Sequence, residues 1–353
     1  MKTLFNILRT VFLTTGAIIG AGFITGAELV NFFGAENFLI PLIFATIITA
    51  LVLIVVFCTL KNRLNQKKSI ENLMGGKTFY RLSICFSSLV FSASMLAGID
   101  ALLNTVFNLA SFQVGSILAI ILISVFSKFG VKGLEKLNLI LMPLIILVVN
   151  ALIFTKNQSD FSKTIQVSFS GGIKAILYVL MNVFICIPVM QETAKNKSKK
   201  ALIIASIITA IIIGLEAFII LSAIKKSSES VNLDMPLYFA LFKGNFSSVY
   251  FLSMITCALT SAFSAYYPLY VYAKEKAGVF GLVVCALITL TVAKLGLSGI
   301  VHYAYPIVGG LGALFFIKCL FCIKNKTYAD NKAIRLNSGV KYVKKEEKQE
   351  QSN

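Results

Sequence analysis

Residues 16–28 read GAIIGAGFITGAE and lie in the middle of the first long apolar stretch of the chain. Its four glycines fall within eleven residues and weaken a helix, because glycine readily adopts non-helical dihedral angles. A helix broken here exposes backbone amides at the start of its outer half, near Gly22 and Phe23, and carbonyls at the end of its inner half. The stretch therefore predicts a discontinuous helix with a binding site at the break.

A second interpretation of the same glycines is close helix packing. Gly16 and Gly20, like Gly22 and Gly26, have the four-residue spacing of small-residue packing faces in membranes. Glu28 favours the binding site, because an ionised carboxylate within a membrane span should face a cavity or a partner and not lipid.

The whole chain has the composition of a membrane protein. Of its 353 residues 57% are hydrophobic, and the mean hydropathy is +0.85, which is more apolar surface than a soluble chain can bury. Apolar stretches of about 17 to 25 residues, enough to cross a bilayer, recur along it. They predict ten transmembrane helices: 7–33, 38–60, 80–108, 111–127, 134–155, 171–192, 200–224, 248–273, 278–296 and 299–322.

The distribution of positive charge predicts the orientation in the membrane. With the N-terminus in the cytoplasm, 26 of the 33 Lys and Arg residues lie at inner helix ends or in the tail, and 7 lie outside. This bias predicts a multi-pass protein of the cell membrane with both termini in the cytoplasm. It also accounts for the net charge of +18 without a nucleic-acid partner. A transmembrane domain over 1–323 and a disordered, polar cytoplasmic tail over 324–353 are expected.

Polar residues on the third and sixth helices mark faces that should point inward. Helix 3 carries Asp100 on a face with small and amide side chains, where Asp100 either lines a substrate path or pairs with a neighbouring helix. Helix 6 carries Tyr178 and, one turn later, Asn182 near the membrane midplane, where Asn182 either contacts substrate or joins two helices. On helix 8 the adjacent hydroxyls of Thr260 and Ser261 lie near the centre of the span.

Ten spans with a broken first helix resemble the leucine-transporter fold of the amino acid-polyamine-organocation superfamily. That fold is all-α, with two five-helix inverted repeats, here about 7–155 and 171–322, and the resemblance implies discontinuous helices 1 and 6 at the midplane. More narrowly, residues 20–29, GAGFITGAEL, followed by Phe32 and Phe33, look like the opening signature of YkvI-type membrane proteins, which are similar to amino acid permeases.

The resemblance implies a small zwitterionic substrate, a neutral amino acid, held at the break. Its carboxylate would lie on the amides near Gly22 and Phe23. Phe23 stands where sodium-coupled neurotransmitter transporters place an asparagine that binds a substrate-adjacent sodium ion, so the resemblance does not extend to that ion. The substrate-binding residues expected are Gly20, Gly22, Phe23, Thr25, Asp100, Tyr178 and Asn182.

A coupling ion is expected between the first helix and helix 8. In the resembling family, backbone carbonyls of the broken helix bind sodium, and Gly16 and Ile19 occupy matching positions. Neutral oxygens suit a monovalent cation better than calcium or magnesium. The predicted sodium ligands are the carbonyls of Gly16, Ile19 and Cys257 and the hydroxyls of Thr260 and Ser261. Proton coupling through Glu28, Asp100 or Glu216 is the alternative, and no other cofactor is expected.

These patterns predict a cation-coupled secondary transporter whose partners are a small solute and the bilayer. An enzyme is not predicted, because the single histidine excludes an H-E-x-x-H metal site and no G-x-S-x-G motif occurs. An ion channel and a non-transporting sensor on a transporter scaffold remain as alternatives. The oligomeric state is open.

Overall fold

A computed structural model of the protein describes residues 2–34, 37–66, 69–107, 113–156, 169–226, 235–242 and 247–350. Within these ranges all regular structure is helical. The α-helices are α1 (Lys2–Ile18), α2 (Ala21–Thr25), α3 (Ala27–Phe33), α4 (Leu39–Asn65), α5 (Lys77–Phe107), α6 (Val114–Phe126), α7 (Gly130–Lys156), α8 (Phe169–Asn196), α9 (Lys199–Lys225), α10 (Pro236–Phe242), α11 (Ser248–Ala293) and α12 (Gly296–Glu350). Short 3-10 helices cover Glu71–Met74 and Ser127–Phe129.

The described helices are those of an integral membrane protein. Seven segments are long and apolar enough to cross a bilayer: Leu39–Asn65, Lys77–Phe107, Val114–Thr155, Gly171–Asn196, Lys199–Lys225, Ser248–Ala293 and Gly296–Lys324. Large apolar side chains on their outer faces are exposed, among them Ile47, Leu144 and Leu215, as a lipid-facing surface requires. The all-α membrane fold predicted from composition is therefore confirmed.

The predicted break in the first helix is also confirmed. The first helix, α1, ends at Ile18, and Gly20 is extended, with φ −118° and ψ −167°. The chain then forms the single turn of α2 and bends again at Gly26, whose φ of 82° lies in the left-handed region that glycine adopts without strain. The sequence predicted one interruption, and the structure has two, on either side of a five-residue helix.

The predicted discontinuity of helix 6 is wrong. Residues 169–196 form one helix, α8, with Pro188 accommodated inside it. Between Gly172 and its end this helix contains no glycine, so its backbone has no position at which non-helical dihedral angles are cheap. Here the local sequence, and not the symmetry implied by the resemblance, decides the conformation.

The broken first segment lies among the most buried helices. In the most apolar 18 residues of α5 and α8, 78% and 72% of the residues are buried inside the protein. The corresponding fraction for Val114–Thr155 is 28%. The short α2 packs against α5 and α11, whereas α3 packs against α8 and α12. Both interruptions are thereby enclosed by protein, which is the condition under which irregular backbone is tolerated at membrane depth.

The last helix continues beyond the final candidate span. Its backbone runs to Glu350, but the side chains described end at Lys324. The predicted disordered tail, 324–353, thus lies almost entirely outside the described side chains and stays a prediction.

Candidate functional site

Two carbonyl groups from the end of α1 meet one hydroxyl of α11. The Ser261 hydroxyl lies 2.9 Å from the carbonyl oxygen of Gly16 and 2.7 Å from that of Ile19. Because α1 stops at Ile18, its last carbonyls lack the partners that a continuing helix would supply. A single hydroxyl proton serves only one of these two acceptors at a time, so the cluster has more lone pairs than donors.

The other two predicted sodium ligands are arranged differently. The Thr260 hydroxyl donates to the Cys257 carbonyl at 3.0 Å, within α11 itself. Cys257 reaches the break through its thiol, which donates to the Ile19 carbonyl at 3.2 Å. Of the five predicted oxygen ligands, the structure therefore brings the carbonyls of Gly16 and Ile19 to the hydroxyl of Ser261.

Asn138 of α7 is a buried polar residue at this cluster that the sequence analysis did not select. Its exposure is 0%, and neither atom of its amide group has a hydrogen-bond partner. It lies against Gly16, where an added methyl group would be 2.5 Å from Asn138 Nδ2. The Thr15 hydroxyl, also buried, is unpaired as well. A lone amide in an otherwise apolar stretch of helix 5 was the available signal.

The turn of α2 is held by its own residues and by α11. The Thr25 hydroxyl donates to the Gly22 carbonyl at 3.1 Å and accepts from the Ala27 amide at 3.3 Å. From α11, the Tyr250 hydroxyl donates to the carbonyl of Ile24 at 3.2 Å. Thr25 therefore stabilises the turn and does not present a free hydroxyl to a substrate.

Gly20 and Phe23 are buried in the same turn. A methyl group on Gly20 would lie 2.6 Å from Met95 Sδ of α5, so glycine is what allows the extended backbone to approach that helix. The Phe23 side chain is fully buried, and its carbonyl accepts from the Gly26 amide at 3.0 Å. Both residues shape the break, and their carbonyl groups are used within the turn, where Gly20 accepts from the Ile24 amide at 3.0 Å.

Glu28 is the buried carboxylate of this region. It lies in the first turn of α3 with an exposure of 1%. Its Oε1 accepts from the Tyr305 hydroxyl of α12 at 2.9 Å, and that hydroxyl is 2.5 Å from Ser94 Oγ of α5. Its Oε2 has no hydrogen-bond partner. Tyr305 and Ser94 were not selected from the sequence, since neither follows a pattern that connects it to Glu28.

The Glu28 side chain folds back over α2. A methyl group on Gly22 would collide with the Glu28 carboxyl group, so that group occupies the space beside Gly22. In the conformation described, a solute carboxylate placed near the amides of Gly22 and Phe23 would therefore meet a group of like charge.

Tyr178 and Asn182 of α8 lie on the other side of α3. The Tyr178 ring is 5.2 Å from those of Phe32 and Phe33, and the Glu28 carboxylate is within electrostatic range of its hydroxyl. Asn182 Nδ2 donates to the Tyr178 carbonyl at 2.9 Å. The Tyr178 hydroxyl, which is near Glu28, and Asn182 Oδ1, one turn further along α8, are buried and have no hydrogen-bond partner.

Asp100 has a structural partner. Its two carboxylate oxygens accept from Ser116, one from the backbone amide at 2.9 Å and one from the hydroxyl group. Ser116 lies in the first turn of α6, where a carboxylate satisfies free amides and complements the helix dipole. Of the two roles left open by the sequence, the geometry favours pairing with a neighbouring helix.

A polar network closes the end of the bundle that holds the start of α1. Lys197, 8% exposed, lies 3.2 Å from Glu135 of α7 and 3.2 Å from the side-chain oxygen of Asn6 in α1. These residues line a pocket of about 310 Å³ together with Arg9 and Glu192. The network therefore joins α1 to α7 and to the connection between α8 and α9.

Comparison with known proteins places the chain near two bacterial sequences. No protein-family profile matches it. It is 26% identical to the "Uncharacterized protein YyaD" of Bacillus subtilis strain 168 over 336 residues, covering 89% of this chain and 95% of that protein. It is 25% identical to the "Uncharacterized membrane protein YkvI" of the same organism over 341 residues, 89% and 94% respectively. The likeness thus extends over nearly the full length of a membrane protein.

Proposed function

We propose that this chain is a secondary transporter that moves a small solute, a neutral amino acid, by alternating access with cation coupling. The observation that carries the proposal is the interruption between α1 and α2, enclosed at membrane depth and lined by unpaired polar groups. Discontinuous helices of this kind form the solute and ion sites of many transporters. The resemblance of residues 20–29 to YkvI-type proteins and the likeness to YkvI itself support the proposal.

The proposed membrane topology has ten crossings and two inverted five-helix repeats, with both termini in the cytoplasm. Val114–Thr155 and Ser248–Ala293 contain 42 and 46 residues, whereas one crossing takes about 20. Each has a glycine with positive φ inside it, Gly130 at 63° and Gly278 at 59°, and is long enough for two crossings. With the interrupted α1–α3 segment as another crossing, the seven candidate spans support ten.

The proposed coupling ion is sodium, bound where α1 ends against α11. The carbonyls of Gly16 and Ile19 and the Ser261 hydroxyl that contacts them both supply neutral oxygens. The unpaired amide of Asn138, buried against Gly16, supplies a further oxygen. A bound sodium ion would be coordinated by these oxygen atoms, which have more lone pairs than there are hydrogen-bond donors. It would thereby link α1 to α11.

A channel and a non-transporting sensor are the competing functions, and uptake separates them from a transporter. The full chain in proteoliposomes is given pooled radiolabelled neutral amino acids at fixed pH, with sodium outside or with choline in its place. We expect the labelled amino acids to accumulate inside above their external concentration, and we expect this accumulation to require sodium. If accumulation persists in choline and is abolished by a protonophore, the coupling ion is the proton and not sodium. Absence of accumulation under every gradient would reject transport of this solute class.

A further inference from the structure

The Glu28 carboxylate has no positive partner among the described residues. Their ion pairs join Arg81 to Glu71, Lys195 to Glu192 and Lys197 to Glu135, and none of them includes Glu28. A carboxylate with 1% exposure at membrane depth is strongly destabilised unless a positive charge or a proton accompanies it. The hydroxyl of Tyr305 donates to Oε1 alone, so Oε2 lacks a hydrogen-bond donor.

The unpaired groups of Glu28 and of the neighbouring helix α8 point to a donor-rich ligand. Besides Glu28 Oε2, the Tyr178 hydroxyl and Asn182 Oδ1 are buried without partners, and both lie on α8, which packs against α3. A carboxylate oxygen and an amide oxygen only accept, and a tyrosine hydroxyl also accepts. A primary ammonium group carries three N–H donors and one positive charge, so it matches these acceptors in number and in charge.

The rings around the carboxylate add to this preference. Tyr305, whose hydroxyl binds Glu28, is buried and stacks on Phe91 with ring centroids 4.7 Å apart. The Tyr178 ring contacts those of Phe32 and Phe33. Aromatic faces attract organic cations, and this attraction is stronger where water is excluded.

A divalent metal fits this place less well. Among the described residues no group of three or more His, Cys, Asp and Glu side chains lies close enough to hold a metal ion. One carboxylate with neutral oxygens does not supply the charge that calcium or magnesium sites normally have. A solute carboxylate is disfavoured too, because Glu28 covers Gly22 with the same charge.

We propose that Glu28, with Tyr305, Tyr178 and Asn182, binds the primary ammonium group of the transported solute. This assignment rests on the proposed transport function and reverses the orientation expected from the sequence: the amino group, not the carboxylate, lies beside α2. Ser94 is a positioning residue, since it contacts the Tyr305 hydroxyl and not the ligand. Amines and amino acids are accepted, and solutes that lack an amino group are not.

The test is ligand-induced stabilisation of the purified full chain in detergent. The probes are matched sets of an amino acid, the amine that lacks its carboxyl group and the acid that lacks its amino group: alanine, ethylamine and propionate; leucine, isopentylamine and 4-methylpentanoate; phenylalanine, phenethylamine and 3-phenylpropionate. We expect at least one amine-bearing probe to raise the melting temperature and its deaminated acid to leave it unchanged. Stabilisation by an acid equal to that by its amino acid overturns the assignment, and so does the absence of stabilisation by every amine.

Variants test the residue. Glu28→Gln should weaken binding of the stabilising probe by at least about thirtyfold, because it removes a buried charge from a charged hydrogen bond. Glu216→Gln is the matched control: Glu216 is also a buried membrane glutamate, but it accepts from Asn150 Nδ2 at 2.8 Å. The Glu216→Gln variant should bind the stabilising probe as tightly as the unmodified protein does. If Glu28→Gln does not fold, Tyr305→Phe keeps the charge, removes one hydroxyl and should bind less tightly. Unchanged binding in both Glu28→Gln and Tyr305→Phe overturns the assignment.

Uptake separates this inference from the proposed function. The stabilising probe is measured in proteoliposomes together with the pooled amino acids. Binding of an amine without uptake would reject transport and leave the ammonium site standing. Uptake of a solute that lacks an amino group would reject the ammonium site and leave transport standing.

Discussion

Ser261 Oγ lies 2.7 Å from the carbonyl oxygen of Ile19, which ties α11 to the backbone immediately after the end of α1. The contact joins residues that are 242 positions apart. It fixes the Ile19 carbonyl, which lies beyond the last residue of α1, to a side chain of another helix. The geometry of the break therefore depends on a second helix as well as on the glycines.

Replacing Ser261 by alanine should loosen this junction. The variant removes the hydroxyl that contacts both carbonyls and leaves the Cys257 thiol as the side-chain donor to Ile19, and we expect a loss of about 1–3 kcal/mol in the free energy of unfolding. Sodium-dependent uptake should fall by at least about tenfold, as expected from the loss of a ligand that costs about 1.4 kcal/mol or more. Ser253→Ala is the control, because Ser253 is buried on the same helix but donates only to the Val249 carbonyl at 2.7 Å. Equal effects of the two substitutions would contradict a special role for Ser261.

The glycine at the contact with α7 should not tolerate a side chain. In Gly16→Ala the new methyl group would lie 2.5 Å from Asn138 Nδ2 and 2.9 Å from Met142 Cγ, so these side chains or the helices that carry them must shift. We expect destabilisation by about 1–3 kcal/mol in thermal unfolding, together with weaker sodium stimulation.

Gly310→Ala is the comparison for that variant. Gly310 lies inside α12, and nothing lies within 4 Å of an added methyl group. Alanine should be neutral there, or should stabilise the protein by up to about 1 kcal/mol through its helix propensity. A Gly16→Ala protein as stable and active as Gly310→Ala would show that the contact of Gly16 with Asn138 is unimportant.

The sequence predicted the parts of the structure that depend on local chemistry. Glycines at 16, 20, 22 and 26 predicted an interrupted first helix because dihedral freedom is a property of the residue itself. The length of the apolar stretches likewise predicted a helical membrane protein, because the thickness of the bilayer sets the length of a span. The prediction for helix 6 was wrong because it was transferred from the symmetry of a resembling fold. Beyond Gly172 the residues of α8 include no glycine, and Pro188 is accommodated within the helix.

The contacts between the residues of the candidate site could not be predicted from the sequence. Glu28 was recognised as a carboxylate in need of a partner, but Tyr305 is 277 residues away, and no spacing connects the two. Ser94 and Tyr305 are likewise separated by 211 residues. Pairings between helices depend on how the bundle assembles. Asp100 shows the same limit, because its capping of α6 becomes visible only when α5 and α6 are placed side by side.

The proposed orientation predicts which sites are accessible from outside the cell. Thr155→Cys and Lys226→Cys should react with a membrane-impermeant maleimide on intact cells, whereas Asn196→Cys and Lys276→Cys should react only after permeabilisation. All four positions are exposed in the structure, and the seven native cysteines are buried or partly buried, so the background should be low. The reverse pattern would invert the topology.

The network at Lys197 should contribute far more to stability than a nearby surface ion pair. Lys197 is buried and binds both Glu135 and Asn6, so Lys197→Gln leaves the Glu135 carboxylate without its positive partner. Breaking a buried pair in this way costs about 3–5 kcal/mol, and the partial exposure of Glu135 places the expected loss near or below the low end of that range.

Lys195→Gln is the matched control for this effect. Lys195 pairs with Glu192 one turn earlier on α8, and the two side chains are 47% and 40% exposed. Its loss should change the free energy of unfolding by less than about 1 kcal/mol. Because the Lys197 network includes Asn6, Lys197→Gln should also accelerate hydrogen exchange in α1 relative to α4, and Lys195→Gln should not. Equal exchange in α1 of the two variants would mean that the network does not hold α1 against the bundle.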